Sequence, residues 1–284
     1  MVQKVLVLGA TGNQGGATLR HLRKAGVAVR ALTRKPNGKK AQALSALGAE
    51  VVAGNMDDPR CLDAAMAGVD GVFSVQNGWE PGNDEVKQGV AVVDAAVRHK
   101  VAHLVYTSVP RPDDNPGIKH FTVKDVVEKH LRQSGLTATI LRPVYFMDNL
   151  NPTVTGSGMH WSVLRDVLGD RVRLQMISAQ DIGWFACRAF LEPQAYAGRT
   201  ITLAGDDVTH AEALAAVKHA LGMTPTHRSG VAWLAMKLMP EARKMFDWYR
   251  EPRFNADVPA LRAQHPGLQR IGDFFAQLAA PGGA

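Results

Sequence analysis

The sequence predicts an α/β fold with a doubly wound parallel sheet, on three observations. Strand-like and helix-like segments alternate along its first half. The first strand-like run, residues 5–8, passes straight into glycines spaced G-x-x-G-x-x-G at Gly9, Gly12 and Gly15. A helical pattern through Leu19, Leu22 and Ala25 follows at once. Alternation of this kind is the mark of parallel strands joined by crossover helices.

The strand, turn and helix start form a unit suited to a dinucleotide pyrophosphate. Gly9 and Gly12 let the backbone turn and approach phosphates, and Gly15 lets the helix pack closely on the strand. The helix start offers unpaired N–H groups and a partial positive charge. Residues 27–33 read as the second strand, and Arg34-Lys35 follow it. An Asp or Glu at this strand end suits a ribose 2′-hydroxyl, whereas a cation suits a 2′-phosphate, so Arg34 points to NADP(H). The charge pattern agrees: residues 1–49 hold nine Lys or Arg and no Asp or Glu, against a formal net charge of +7 for all 284 residues. Arg20, Arg23 and Lys24 are expected on the outer, solvated face of the first helix.

Length allows one large α/β domain, or a large domain with a smaller appendage. Cys61 and Cys187 are far apart and show no metal or disulfide spacing, and His99, His103, His130, His219 and His227 have no ligand partners at useful spacing, so no metal is expected. A reducing cytoplasm fits the cysteines. No apolar run is long enough to span a bilayer, and the first strand begins too near Met1 for a signal peptide. The sequence pI near 9.5 is accounted for by the basic first segment, and neither a Cys/His finger nor a lysine-rich tail is present, which argues against direct nucleic-acid binding. Disorder is expected only in the Pro-Gly-Gly-Ala tail.

The remaining elements follow in order. A helix at 39–47 leads to a strand at 50–53, a helix at 59–67 to a strand at 71–75, and a helix at 84–99 to a strand at 103–107. A helix at 118–133 then leads to a strand at 137–141. This is a Rossmann-type domain over residues 1–150, and in such sheets ligands lie beyond the carboxyl ends of the strands. Residues 151–284 form a smaller C-terminal α+β region expected to pack over the pocket, with the main sheet completed from within 172–204.

The strand ends carry polar groups. After the third strand stand Asn55, Met56, Asp57 and Asp58, where a short side chain either accepts from an adenine amino group or forms an Asx-turn ahead of Pro59. Gln76 and Asn77 follow the fourth strand, near where ribose and nicotinamide would lie, and Thr107-Ser108 follow the fifth. His120 and Lys124 share one face of the next helix, a turn apart.

Taken together, Gly9-Ala10-Thr11-Gly12-Asn13-Gln14-Gly15, Thr33-Arg34, Gly54-Asn55-Met56-Asp57-Asp58, Asp84 to Gly89, His120-Phe121 through Lys124, and Leu141-Arg142-Pro143 through Tyr145-Phe146 and Asn149 resemble the NmrA-like group of atypical short-chain dehydrogenases. The resemblance runs over most of the chain. It implies an NADP-binding fold in which Lys124 contacts the nicotinamide ribose and residues 143–149 line the nicotinamide pocket. With the residues read above, the candidate cofactor set is Gly9, Thr11, Gly12, Asn13, Gln14, Gly15, Arg34, Lys39, Asn55, Met56, Gln76, Asn77, Lys87, Lys124, Tyr145, Phe146 and Asn149. The group includes dinucleotide-sensing regulators and NADPH-dependent quinone and dye reductases, which these motifs do not separate.

One departure bears on chemistry. Ordinary short-chain dehydrogenases place a catalytic tyrosine four residues before the lysine, and none of the four tyrosines here stands so. The position is His120. Histidine is a capable general acid near neutral pH, although its cationic form is disfavoured beside Lys124. The alternative is a cofactor or pocket-wall contact without proton transfer. His120 and Lys124 are therefore the candidate catalytic pair.

In the C-terminal region a helix is expected from 178 through 190, a strand at 199–204, and a capping-box helix start at Thr209 with Glu212. Residues 231–239 and 245–249 are rich in Met and aromatics, a pattern that serves as a core, a lid for an aromatic ligand or a protein-docking surface. The reading placed first is an NADP(H) sensor or regulator, with weak or no dehydrogenase activity, acting on a protein partner. The alternative is an NADPH-dependent reductase of a quinone or similar conjugated acceptor. A sugar-nucleotide epimerase is disfavoured, since it needs the tyrosine.

Overall fold

A computed structural model of the chain describes residues 2–78, 82–111, 117–227, 230–251 and 254–280. The Pro-Gly-Gly-Ala end lies outside them. In chain order the elements are β1 (Lys4–Val7), α1 (Asn13–Lys24), β2 (Ala28–Thr33), α2 (Lys39–Ala46), β3 (Glu50–Ala53), α3 (Pro59–Met66), β4 (Gly71–Ser74), α4 (Glu85–Arg98), β5 (His103–Thr107), α5 (Lys119–Gln133) and β6 (Ala138–Pro143). There follow β7 (Tyr145–Phe146), α6 (Ser157–Val163), β8 (Leu174–Ile177), α7 (Ala179–Leu191), α8 (Pro193–Tyr196), β9 (Thr200–Leu203) and β10 (Asp206–Val208). Five further helices follow among the described residues: α9 (His210–Leu221), α10 (Val231–Leu238), α11 (Pro240–Tyr249), α12 (Val258–Gln264) and α13 (Ile271–Ala279). Among the described residues no helix is long and apolar enough to cross a membrane.

Seven strands form the main parallel sheet, in the order β3-β2-β1-β4-β5-β6-β9. The order reverses between β1 and β4, which leaves a crevice at their carboxyl ends. β1 is central because Val5, Leu6, Val7 and Leu8 are all fully buried, covered on both faces as a parallel strand must be. Burial of each such side chain contributes about 2 kcal/mol. β1 pairs with β2 from Lys4 opposite Ala28 and with β4 from Val5 opposite Gly71, so the three strands end at one level.

The described residues divide into two compact units. Met1–Asn115, His120–Arg142 and Ala179–Ile201 make the first; Pro116–Lys119, Pro143–Ser178 and Thr202–Ala284 make the second. The chain thus returns to the first unit after leaving it, where the sequence suggests a single boundary at residue 150. β9 does join the main sheet, but β8 belongs to a separate three-stranded sheet, β10-β8-β7, antiparallel to β10 and parallel to β7. In the second unit Trp161 is buried, stacks on Phe275 at 6.2 Å and donates its indole N–H to the Leu150 carbonyl at 3.0 Å. The Thr209 capping box forms, with Glu212 N–H on Thr209 Oγ1 at 3.2 Å and Thr209 N–H on Glu212 Oε2 at 2.7 Å.

The Met- and aromatic-rich stretch is two helices with different fates, because Pro240 starts a new one. On α11 Phe246, Trp248 and Tyr249 are core, while α10 buries Ala232 and Met236 and exposes Trp233, Leu234 and Leu238.

His103, at the amino end of β5, is buried in the first unit with its Nε2 2.9 Å from Thr139 Oγ1. The Thr139 hydroxyl gives its proton to the Tyr196 carbonyl at 2.8 Å, so His103 must donate from Nε2. Burial pushes its pKa down to about 4. A base whose folded pKa lies below its unfolded value of about 6.5 stabilises the fold fully above that value, and the contribution is lost as pH falls toward 4. We expect urea unfolding to show a loss of about 3 kcal/mol across that window from this group, and His103→Gln to flatten it. An unchanged acid dependence in the variant would assign the loss elsewhere.

Candidate functional site

The glycine turn is built as its spacing requires. Gly9 adopts φ of +63°, and its carbonyl accepts the Gly12 N–H at 2.9 Å. A Cβ on Gly15 would stand 2.6 Å from the Gly9 carbonyl carbon and 2.8 Å from the Ala10 nitrogen, so only glycine lets α1 begin this close to the turn. Gly12 is the N-cap, no side chain caps α1, and its first turn holds no acidic residue. The helix start therefore keeps N–H donors and positive character for an anion. Thr11 and Gln14 are half-buried beside it, Asn13 is exposed, and Gln14 Oε1 is buried without a partner among the described residues.

Arg34 stands directly after β2, exposed, and Lys39 is exposed in the first turn of α2, whose Gly38 cap also has no side-chain bond. Three further cations of the basic segment bond within the fold. Lys4 and Arg30 share Glu50, at 2.7 and 3.0 Å, and Arg23 bonds the Leu47 and Val27 carbonyls. After β3, Asn55 Oδ1 accepts the Asp57 N–H at 3.3 Å, Asp58 caps α3 by accepting from Arg60 N–H at 2.9 Å, and Met56 packs on the core. The Asx-turn of this loop is thus formed.

On the other side of the crevice, Gln76 is buried after β4 and donates to Ser74 Oγ at 2.9 Å, which leaves its Oε1 without a partner among the described residues. Thr107 Oγ1 and Ser108 Oγ, at the end of β5, are buried and equally unpartnered there. Asn77 is exposed, and Lys87 is exposed on α4 with its N–H donated to the Asp84 cap at 3.0 Å. Lys124 is buried. Its ammonium pairs with Glu85, lies 3.4 Å from the Thr107 carbonyl and sits 5.4 Å from the centre of the Tyr106 ring. His120 is half-buried one turn before it, and desolvation, then the Lys124 charge, push its pKa down to about 4.

These groups all belong to the first unit, at the carboxyl ends of its strands. Tyr145, Phe146 and Asn149 belong to the second. There Tyr145 OH bonds His160 Nδ1 at 2.8 Å and packs edge-on to Tyr249, and burial raises its pKa well beyond the usual phenol range, with the bond to Asn149 opposing the rise. Glu85 is the site residue that the sequence reading missed. Its place on the stripe Glu85, Gln88, Val92, Ala96 was the available signal, since that stripe is the buried face of α4.

The orphaned acceptors, the glycine cradle and the uncapped helix start fit a bound dinucleotide: Gln76, Thr107 and Ser108 suit its ribose and amide groups, and the turn suits its diphosphate. Fold and site together define a Rossmann-type dinucleotide-binding protein. Comparison with known proteins is more specific: the NmrA-like family pattern matches residues 1–244, and the chain belongs to that family. It is 32% identical over 222 residues to a (4-alkanoyl-5-oxo-2,5-dihydrofuran-3-yl)methyl phosphate reductase of Streptomyces griseus, covering 77% of this chain and 74% of that one. It is 32% identical over 197 residues to an NAD(P)H azoreductase of Xenophilus azovorans, covering 66% of this chain and 64% of that one. Its fold is similar to the crystal structure of NmrA, a negative transcriptional regulator, in complex with NADP, with a TM-score of 0.77, 19% identity and coverage of 96% and 94%.

Proposed function

We propose that this chain binds NADP(H) and reduces a conjugated, electron-poor acceptor such as a quinone or an unsaturated lactone. The observation that carries this reading is a dinucleotide cradle joined to a site whose described residues place an uncharged imidazole, His120, where a strong proton donor would stand. His120 holds the place of the usual tyrosine, and with a pKa near 4 its imidazole is uncharged at neutral pH. It therefore contacts ligand and shapes the site, while water supplies the proton. NADPH, when bound, supplies the hydride. Reduction of a simple ketone makes a strongly basic alkoxide that needs an acid in the transition state; hydroquinone anions and enolates are weaker bases and need less help. The similarity to two proteins named as reductases supports the same choice over the sensor reading that the sequence alone placed first.

The test is NADPH consumption with a quinone, an azo dye, a conjugated lactone and a simple ketone. Turnover of conjugated acceptors but not the ketone is expected, with His120→Ala slowing it by less than about tenfold, the loss of a contact rather than of an acid. Equal turnover of the ketone would overturn the account of the missing acid. Tight binding with no turnover at all would favour the second reading, a dinucleotide sensor. The observation favouring that reading is the row of exposed apolar side chains on α10, where Leu238 is 77% exposed.

Cofactor choice has its own test. Arg34→Ala is expected to weaken NADPH binding by about 2 kcal/mol, roughly thirtyfold, and to leave NADH nearly unchanged. Equal losses for both would make Arg34 a structural residue.

A further inference from the structure

The geometry points to Glu85 as the positioning residue of this site: it aims the Lys124 ammonium and cancels its charge where the nicotinamide half of a dinucleotide is held. The inference rests on the dinucleotide reading above and does not depend on turnover. Glu85 and Lys124 are both buried, their side chains 4% and 5% exposed, and they form an ion pair. Glu85 comes from the first turn of α4 and Lys124 from the second turn of α5, so the pair joins the two helices that follow β4 and β5. Lysine has three N–H donors. The Lys124 ammonium donates to the Thr107 carbonyl and is ion-paired with Glu85, and a donor remains for a ligand oxygen beside the end of β5.

A second feature shows that room has been made for the carboxylate. A Cβ on Gly78, in the loop after β4, would lie 3.2 Å from the Glu85 carboxyl carbon and closer still to its Oε2. The loop that carries Gln76 thus accommodates Glu85 through the absence of a side chain.

The charge balance has a consequence for binding. The nicotinamide ring is cationic in NADP⁺ and neutral in NADPH. With Glu85 in place the Lys124 charge is offset, and without it a buried cation faces the oxidised ring at low effective dielectric. Glu85 thereby sets the relative affinity for the two redox states.

The experiment is calorimetric binding of NADP⁺, NADPH and 2′,5′-ADP, which lacks the nicotinamide half, to the wild type, Glu85→Gln, Glu85→Asp and Gly78→Ala. Glu85→Gln is expected to weaken NADP⁺ about tenfold more than NADPH, with 2′,5′-ADP within about twofold of wild type. Glu85→Asp keeps the charge and should restore most of the ratio. Gly78→Ala, which displaces the carboxylate without changing any charge, should move the ratio in the same direction by less, and it serves alone should Glu85→Gln not fold. Equal weakening of all three ligands, or an unshifted ratio, overturns the proposal and leaves the dinucleotide reading standing. A wild type that binds none of the three overturns both.

Discussion

Gly15→Val is expected to abolish NADPH binding, raising Kd at least about a hundredfold, nearly 3 kcal/mol. The added Cβ meets the Gly9 carbonyl carbon at 2.6 Å and the Ala10 nitrogen at 2.8 Å, and these are backbone atoms with no rotamer to escape into. The start of α1 must therefore move away from the turn that follows β1. That movement takes the first N–H groups of α1 out of line with the Gly9 and Gly12 backbone, and an anion site made of backbone donors depends on their common aim. β-branching adds a further helix penalty of well under 1 kcal/mol, too little to account for the loss. Isothermal calorimetry gives the affinity, and a thermal melt of the same sample shows that the variant is folded. A folded variant that binds NADPH within about threefold of wild type would place the diphosphate elsewhere.

The second large effect falls on stability. Glu128 is fully buried on α5, where its carboxylate accepts from Arg142 Nε at 3.0 Å and Arg142 Nη2 at 2.7 Å, and from Arg132 Nη2 at 2.7 Å. The bidentate contact joins α5 to β6. Glu128→Ala leaves the buried Arg142 guanidinium without its carboxylate, and breaking such a pair from one side costs about 3–5 kcal/mol. Because α5 also carries His120 and Lys124, loss of this tie is expected to weaken dinucleotide binding before the protein unfolds. Urea unfolding of wild type and variant measures the cost. A loss below about 1 kcal/mol would show that α5 is held by its apolar contacts alone.

What was legible in the sequence is what local chemistry determines. The G-x-x-G-x-x-G turn is recognisable because each glycine answers a constraint within a few residues of itself. The Thr209–Glu212 box is recognisable because its partners are three residues apart. The main sheet was legible through alternation, down to the identical bounds of β3 and β5. The second sheet was not, since β7 has two residues and β10 three, too few to show a period, and β8 takes its place only by pairing with them. Glu85 and Glu128 escaped for another reason. A charged residue on a helix reads as a solvated face unless its partner is known, and their partners Lys124 and Arg142 lie 39 and 14 positions away. Both nevertheless fall on the buried stripes of their helices, beside Val92 on α4 and Leu131 on α5. A charge on an apolar stripe was therefore the readable sign of a buried pair.

The measurement that tests the central claim most directly is isotope transfer from NADPH carrying deuterium at C4 to a conjugated lactone, read by mass spectrometry of the product. The account predicts one deuterium on a product carbon, from one face of the nicotinamide, with the proton drawn from solvent. Tight NADPH binding with no labelled product from any conjugated acceptor would contradict it.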